Sequence, residues 1–163
     1  MRGMVGSPFD APLYSLLYRS SSTCRVTPRE LNRIFVASSI RNTRDAVTGL
    51  LLYGAPDPRA PGLFVQWIEG PPENVRRLWE RIERDPRHTD LEVLHEGPNR
   101  DLVGMDARLF PGWSLRVEFE TMGSLPVTSD QFLAYWLIHS DALGSQRERL
   151  RGHRPNVAAG SGR

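Results

Sequence analysis

The sequence predicts an α+β domain in which two helices cover one face of a mixed sheet, with a further helix toward the C-terminus. Three observations lead there. Five short segments, Leu13–Tyr18, Val47–Tyr53, Leu63–Glu69, Leu91–Leu94 and Phe110–Phe119, have the length and apolar patterning of strands. Two stretches with apolar residues at helical spacing separate the first strand from the second and the third from the fourth. Proline- and glycine-rich joints punctuate the boundaries.

Taken in order, Leu13–Tyr18 places Tyr14, Leu16 and Tyr18 on one face of the opening strand, because successive strand side chains alternate. A Ser/Thr-rich stretch, Ser20–Thr23, reads as a loop. Thr27-Pro28-Arg29-Glu30 then carries a helix-start signature: a capping hydroxyl, a proline in the first turn and a reciprocal glutamate. Leu31, Ile34, Phe35 and Ser38 continue at helical spacing to about Asn42. Thr48-Gly49 opens the second strand, and the three prolines of Gly54–Gly62 make that segment a loop before the third. These two strands are expected to pair antiparallel. Pro71-Pro72-Glu73 opens the second helix, with Val75, Leu78, Trp79 and Ile82 as its apolar stripe, and Asp85-Pro86 stops it. In the last strand Trp113, Leu115, Val117 and Phe119 alternate with Ser114, Arg116 and Glu118, a half-buried pattern. Thr128-Ser129-Asp130-Gln131 is a second capping box, starting a helix through about Leu143 that Gly144 would end. The order β-α-β-β-α-β-β, followed by a helix, is that of a ferredoxin-like domain.

Composition narrows the function classes. A chain of 163 residues with formal charge +2 is large enough for one well-cored domain. No apolar run approaches the ~20 residues of a membrane helix, and no secretion signal is evident in Met1–Pro12, so a cytoplasmic protein without membrane attachment is expected. Cys24 is the single cysteine, which excludes an internal disulfide and a cysteine-built zinc site. The four histidines lack metal-ligand spacing, so no metal is expected. From Gly144 onward there are five arginines and one glutamate; this basic tail reads as a solvated terminus, and a nucleic-acid role is not expected.

One residue stands out. Gln66 shares a strand face with Phe64 and Ile68. A buried amide without partners costs roughly 1–3 kcal/mol, so a polar group must meet it. Singly, the polar and aromatic residues have structural readings: Tyr18 and Trp113 as core aromatics, Asn42 as a helix C-cap, Gln66 as an amide bonded to backbone or water. Asp85-Pro86-Arg87-His88 reads either as an anion site or as an ordinary helix-end turn.

Together they are more specific. Leu17-Tyr18-Arg19-Ser20, Arg41-Asn42 followed by Thr48–Tyr53, Phe64–Gly70, Arg84–His88 and Phe110-Pro111-Gly112-Trp113-Ser114 closely resemble, in order, the BLUF domain. Members of that family are blue-light sensors using flavin, usually FAD. The resemblance implies a flavin ring between the two helices, and Tyr18 as electron and proton donor. It makes Gln66 the switch amide bonded to both tyrosine and flavin, with Ser20 and Trp113 flanking the pair. Asn42 would hold the polar edge of the ring, Ser38 line the same helix, and Asp85, Arg87 and His88 lie toward the ribityl and phosphate end. No catalytic residues are implied, and the chain is expected not to be an enzyme. A partner protein, or self-assembly through the C-terminal helix, would read the signal.

The implied organisation is an extension over 1–12, a flavin-binding domain over 13–120, a helical cap over 121–144 and a basic disordered tail over 145–163. Two departures from the family pattern stand out: Leu115, where methionine is common, and the long proline-rich 54–62 loop. Leu115 keeps open an alternative, a BLUF-like interaction module without flavin or with a defective photocycle. An enzyme on the same fold is the third reading, and no nucleophile, metal set or acid–base pair supports it.

Overall fold

The structure is a computed structural model that describes residues 12–57, 59–104, 106–119 and 125–138, with backbone alone for 114–119. Its elements are β1 (Tyr14–Ser22), α1 (Pro28–Arg44), β2 (Thr48–Ala55), β3 (Leu63–Gly70), α2 (Pro72–Glu83), β4 (His88–Pro98), α3 (Asn99–Val103) and β5 (Trp113–Phe119). They build one five-stranded sheet in the order β4-β1-β3-β2-β5. β1 pairs antiparallel with β3 and β4, β2 pairs antiparallel with β3, and β5 runs parallel to β2. This is the α+β, ferredoxin-like arrangement with an added parallel edge strand. Contacts divide the chain into two compact units, one ending at Ser129 and the other starting at Asp130. A helix over 129–138 falls almost wholly in the second unit.

Helix α1 begins as its sequence dictates. Thr27 caps it, with Glu30 N–H donating to the Thr27 hydroxyl at 3.2 Å and Thr27 N–H donating to the Glu30 carboxylate at 2.8 Å. Its end differs from expectation. The C-cap is Asp45, and Asn42 lies inside the last turn, buried, so Asn42 is not the stop residue. The cause is the tight turn at 45–47: Val47 N–H donates to Asn42 O at 2.8 Å, and Ala46 takes a positive φ of 53°. Arg108 secures that turn from outside, donating to Ala46 O at 2.7 Å and to the Thr48 hydroxyl at 2.8 Å.

Several strands are longer than their apolar segments. β1 continues through Ser20–Ser22, the stretch that reads as a loop, because β3 supplies partners: Ser20 faces Phe64 and Ser21 faces Leu63. Ser22 closes the edge by exchanging bonds of 2.8 Å with Gly62, its amide donating to Gly62 O and its hydroxyl accepting from Gly62 N–H. β2 likewise runs through Gly54-Ala55 before the proline-rich loop, paired to β5. β4 spans 88–98 instead of 91–94, since its backbone pairs along the whole of β1. β5 starts at Trp113, because Leu109 and Phe110 are held by a side chain, described below, and not by a ladder.

Two core clusters form on the same face of the sheet. One joins Leu16, Tyr18 and Ile68 to Val75, Leu78 and Ile82 of α2; the other joins Leu51, Tyr53 and Phe64 to Leu31 of α1. Gln66 lies between them in β3, and Trp113 packs against both. The two helices therefore cover neighbouring parts of one face and leave a gap between their cores. The expected half-buried alternation of Leu115, Val117 and Phe119 lies outside the described side chains. So do the 1–11 extension, the helix beyond 138 with its Gly144 stop, and the basic tail.

Candidate functional site

The gap between α1 and α2 is a cleft of about 370 Å³. Its floor is Leu51, Phe64 and Gln66; Ile34, Ser38, Arg41 and Asn42 of α1 form one wall, and Leu78, Arg81 and Ile82 of α2 the other. Asp85 to His88 close one end, and Trp113 lines it as well.

Each polar side chain is placed by its element. Tyr18 and Gln66 are direct partners across β1 and β3, so alternation projects both to the helix-covered face. The Tyr18 hydroxyl donates to Gln66 Oε1. With that oxygen turned to the tyrosine, the amide nitrogen is the group left to donate into the cleft. Tyr18 is fully buried, and desolvation is the main cause that pushes its pKa far above 10, with Asp85 adding to the rise. Its ring packs against Trp79 at 5.0 Å and the His88 imidazole at 6.1 Å.

The Asp85–His88 turn is tied down from both sides. Arg87 clamps Asp85 through Nε at 2.8 Å and through its terminal nitrogen, and this bonding holds the Asp85 carboxyl below its ordinary range. The Thr23 hydroxyl donates to Pro86 O at 3.0 Å. His88 shares a 2.7 Å hydrogen bond with the Ser20 hydroxyl and packs on Phe64 at 4.8 Å. Burial pushes its imidazole pKa down, against the opposing pull of Asp85.

Trp113 sits where the sheet offers room. A Cβ at Gly49 would stand 2.0 Å from the Trp67 carbonyl oxygen and 3.1 Å from the Trp113 ring. Only a residue without a side chain allows β2, β3 and the indole to meet so closely. The approach to β5 is fixed by Glu69, a buried carboxylate. It accepts from Phe110 N–H at 2.7 Å, Leu109 N–H at 3.0 Å and Asn99 Nδ2 at 2.7 Å. Desolvation raises its pKa, while those donors work against the rise.

The cleft's unsatisfied chemistry is one-sided. Asn42 Nδ2, Arg81 Nε and Trp113 Nε1 are all buried donors without an acceptor among the described residues. Most buried polar groups in folded proteins are paired, so three orphaned donors around one cleft call for an acceptor-rich ligand. A flavin ring system, with two carbonyl oxygens and unprotonated ring nitrogens, has that character, and the apolar Ile34, Leu51, Phe64 and Leu78 suit its aromatic body. The residues present fit the group.

The expected site residues are thus brought together with one qualification. Tyr18, Gln66, Asn42, Ser38, Asp85, Arg87, His88 and Trp113 line or adjoin the cleft, whereas Ser20 stands behind His88 and does not line it. Arg81, Arg41, Ile34 and Leu78 line it too and were not singled out from sequence, although Leu78 and Ile82 belong to the α2 stripe next to Arg81. Glu69 was missed as well. Its signal was the same as that of Gln66, a polar residue inside an apolar strand segment.

Residues 13–116 match the family model of BLUF, sensors of blue-light using FAD. The chain belongs to the BLUF family. A relative in Euglena gracilis, photoactivated adenylate cyclase subunit beta, is 34% identical over 119 residues, 72% of this chain and 12% of its own length. The chain therefore spans only about an eighth of that relative. Among solved structures, the dark state of the BLUF protein BlrB is 34% identical with a TM-score of 0.56, covering 71% of this chain and 80% of BlrB. A structure of Klebsiella pneumoniae BlrP1 with FMN and cyclic diGMP is 26% identical with a TM-score of 0.50, covering 64% of this chain and 26% of that one. The BLUF domain here is a flavin-binding blue-light sensor module. No helix among its described residues is long and apolar enough to cross a membrane.

Proposed function

We propose that this BLUF domain binds FAD between α1 and α2 and signals blue light through the Tyr18–Gln66 pair to a separate effector. The observation that carries the reading is the buried Tyr18–Gln66 hydrogen bond at the floor of a cleft with three orphaned donors. Bound flavin supplies absorption of blue light and an electron acceptor in its excited state.

The rest falls to the chain. Tyr18 is the donor. Its burial forbids a phenolate before excitation, so loss of an electron must be accompanied by loss of the phenolic proton. Gln66 Oε1 is the only acceptor bonded to that hydroxyl among the described residues, so the proton leaves Tyr18 through the amide. Return of electron and proton to Tyr18 leaves Gln66 rotated or tautomerised, with changed hydrogen bonds and no substrate turned over. Asn42 and Arg81 hold the acceptor-rich edge of the ring, Trp113 borders the switch, and Ser38 lines α1. Ser20 orients His88, and Asp85, Arg87 and His88 serve the ribityl and phosphate end. The domain itself is not an enzyme, and it acts in the cytoplasm through an effector domain or partner protein. The cyclase named in its Euglena relative illustrates such an effector.

The test is the absorption spectrum of the purified protein before and after blue light. A reversible red shift of bound flavin is expected, abolished by Tyr18→Phe and by Gln66→Leu with flavin still bound. A photocycle that survives in either variant would overturn the assignment. A protein that cannot be loaded with flavin would favour the alternative of an interaction module.

A further inference from the structure

Glu69 is the one buried acid among the described residues, and the photochemistry does not use it. Strand alternation puts Trp67 and Glu69 on the sheet face opposite Gln66, and the carboxylate does not line the cleft. A carboxylate is costly to take out of water, and here the cost is offset by donors from one segment. Leu109 N–H donates to Glu69 Oε2 at 3.0 Å and Phe110 N–H to Oε1 at 2.7 Å. Each oxygen thus holds one of two successive amides, which a side chain with a single acceptor oxygen could not do. Arg108, just before them, donates to Glu69 O at 3.1 Å and to the Thr48 hydroxyl at 2.8 Å. Residues 108–110 are therefore strapped to the end of β3.

That segment leads into the site. Only Pro111 and Gly112 separate Phe110 from Trp113. The proline ring fixes one φ, and Gly112 O accepts from Gly49 N–H at 3.1 Å, so both linking residues are constrained. Trp113 then pairs with Gly49, which pairs with Ile68. Paired residues share a sheet face, so the indole lies over Gly49 on the face that carries Tyr18 and Gln66. Trp113 lines the cleft there, with its buried Nε1 lacking an acceptor among the described residues. A displacement of Phe110 is passed on to a side chain that borders the switch.

We propose that Glu69 is a positioning residue for the switch: from the opposite face of the sheet its two oxygens set the path of Leu109 and Phe110, and so the place of the Trp113 indole in the cleft. Its photochemical consequence rests on the flavin reading above, whereas the place of the indole does not.

The test compares the full-length protein with Glu69→Gln, which removes one of the two acceptor oxygens, and with a stability control. The control is Leu17→Ala, at a fully buried position that lines no part of the cleft. Without flavin, the indole N–H signals are read by heteronuclear NMR, that of Trp113 being assigned by Trp113→Phe. Trp67 bonds Glu69 directly, so its signal moves whatever the role of the carboxylate. The deciding signal is that of Trp113, which should move in Glu69→Gln and stay in place in Leu17→Ala. Loaded with flavin, Glu69→Gln should still give the red shift, because Tyr18 and Gln66 are untouched. Its dark recovery should differ from the parent's by at least ~3-fold, less than loss of one hydrogen bond to a charged group can produce. Leu17→Ala should recover within about 2-fold of the parent. Glu69→Asp keeps both oxygens but draws them back by one methylene. It should move the same Trp113 signal, and it decides the matter if the glutamine variant does not fold.

A Trp113 signal unmoved in the Glu69 variants, or moved equally by Leu17→Ala, would overturn the assignment. Unchanged dark recovery in flavin-loaded Glu69→Gln would overturn its bearing on the switch. Failure of every variant and the parent to take up flavin, with the Trp113 signal moved as expected, would bring down the flavin reading alone.

Discussion

Replacing Glu69 with leucine should cost the domain about 2–3 kcal/mol, although it removes a carboxylate from the interior. The structure supplies the terms. Glu69 is the acceptor for Phe110 N–H and Leu109 N–H, and both residues are buried. Asn99 Nδ2 also bonds it, but that nitrogen keeps a second acceptor in Ala107 O at 3.1 Å. Removing the carboxylate therefore takes away the acceptor bonded to two backbone donors, at ~1–3 kcal/mol each. Against this stands the relief of desolvation that raises the Glu69 pKa. Leucine nearly fills the volume, so no large cavity enters. Urea unfolding at about pH 7, followed by circular dichroism and tryptophan fluorescence, measures the loss.

A companion variant, Glu69→Gln, isolates the charge. The folded carboxyl has a pKa above its ordinary 4.5, so folding favours the protonated form. That contribution is fully present below the unfolded value and is lost as pH rises through the raised one. Parent stability relative to Glu69→Gln should fall over that window. A Glu69→Leu protein within about 0.5 kcal/mol of the parent would refute the reasoning, because the Leu109 and Phe110 amides would then have other acceptors.

Gly49→Ala should destabilise the domain by roughly 1–3 kcal/mol, since its Cβ meets the Trp67 carbonyl at 2.0 Å and backbone cannot rotate away. The same change should alter Trp113 fluorescence, which separates displacement of the indole from a general loss of packing. His88 is held below the ordinary 6.5 by burial, so its stabilising contribution is present above that value and lost as pH falls through the lowered one. Thermal unfolding from about pH 7 to about pH 5 should show the parent losing stability relative to His88→Gln. Identical slopes would show that the imidazole titrates freely.

Sequence reading reached the two crossover units because each leaves a local signature; it missed the short α3 between β4 and β5, and it took the Tyr18–Gln66 pairing from the family resemblance. The Thr27–Glu30 capping box, the α2 stripe and an amide between Phe64 and Ile68 are legible within a few residues. What it missed is set by partners far along the chain. Ser20–Ser22 looks like a loop until β3 and Gly62 supply hydrogen bonds. Asn42 looks like a C-cap because the 45–47 turn, secured by Arg108, is invisible at the helix end itself. Arg81 has no local mark as a site residue. Its place in the cleft depends on α2 lying beside α1 on one face of the sheet, which is a property of topology and not of composition.

That topology also governs when the switch can come into being. The Tyr18–Gln66 bond joins residues 48 apart, and among the described residues β1 pairs with β3 and β4 and not with the element that follows it. Contacts of such long range form only after the intervening loops have been closed, late in folding. A nascent or partly collapsed chain with both helices formed would hold no assembled cleft. Flavin captured by the protein thus reports a completed sheet, and by binding the native state alone it shifts the folding equilibrium toward it. The chromophore is in this sense a check on assembly before it is a detector of light.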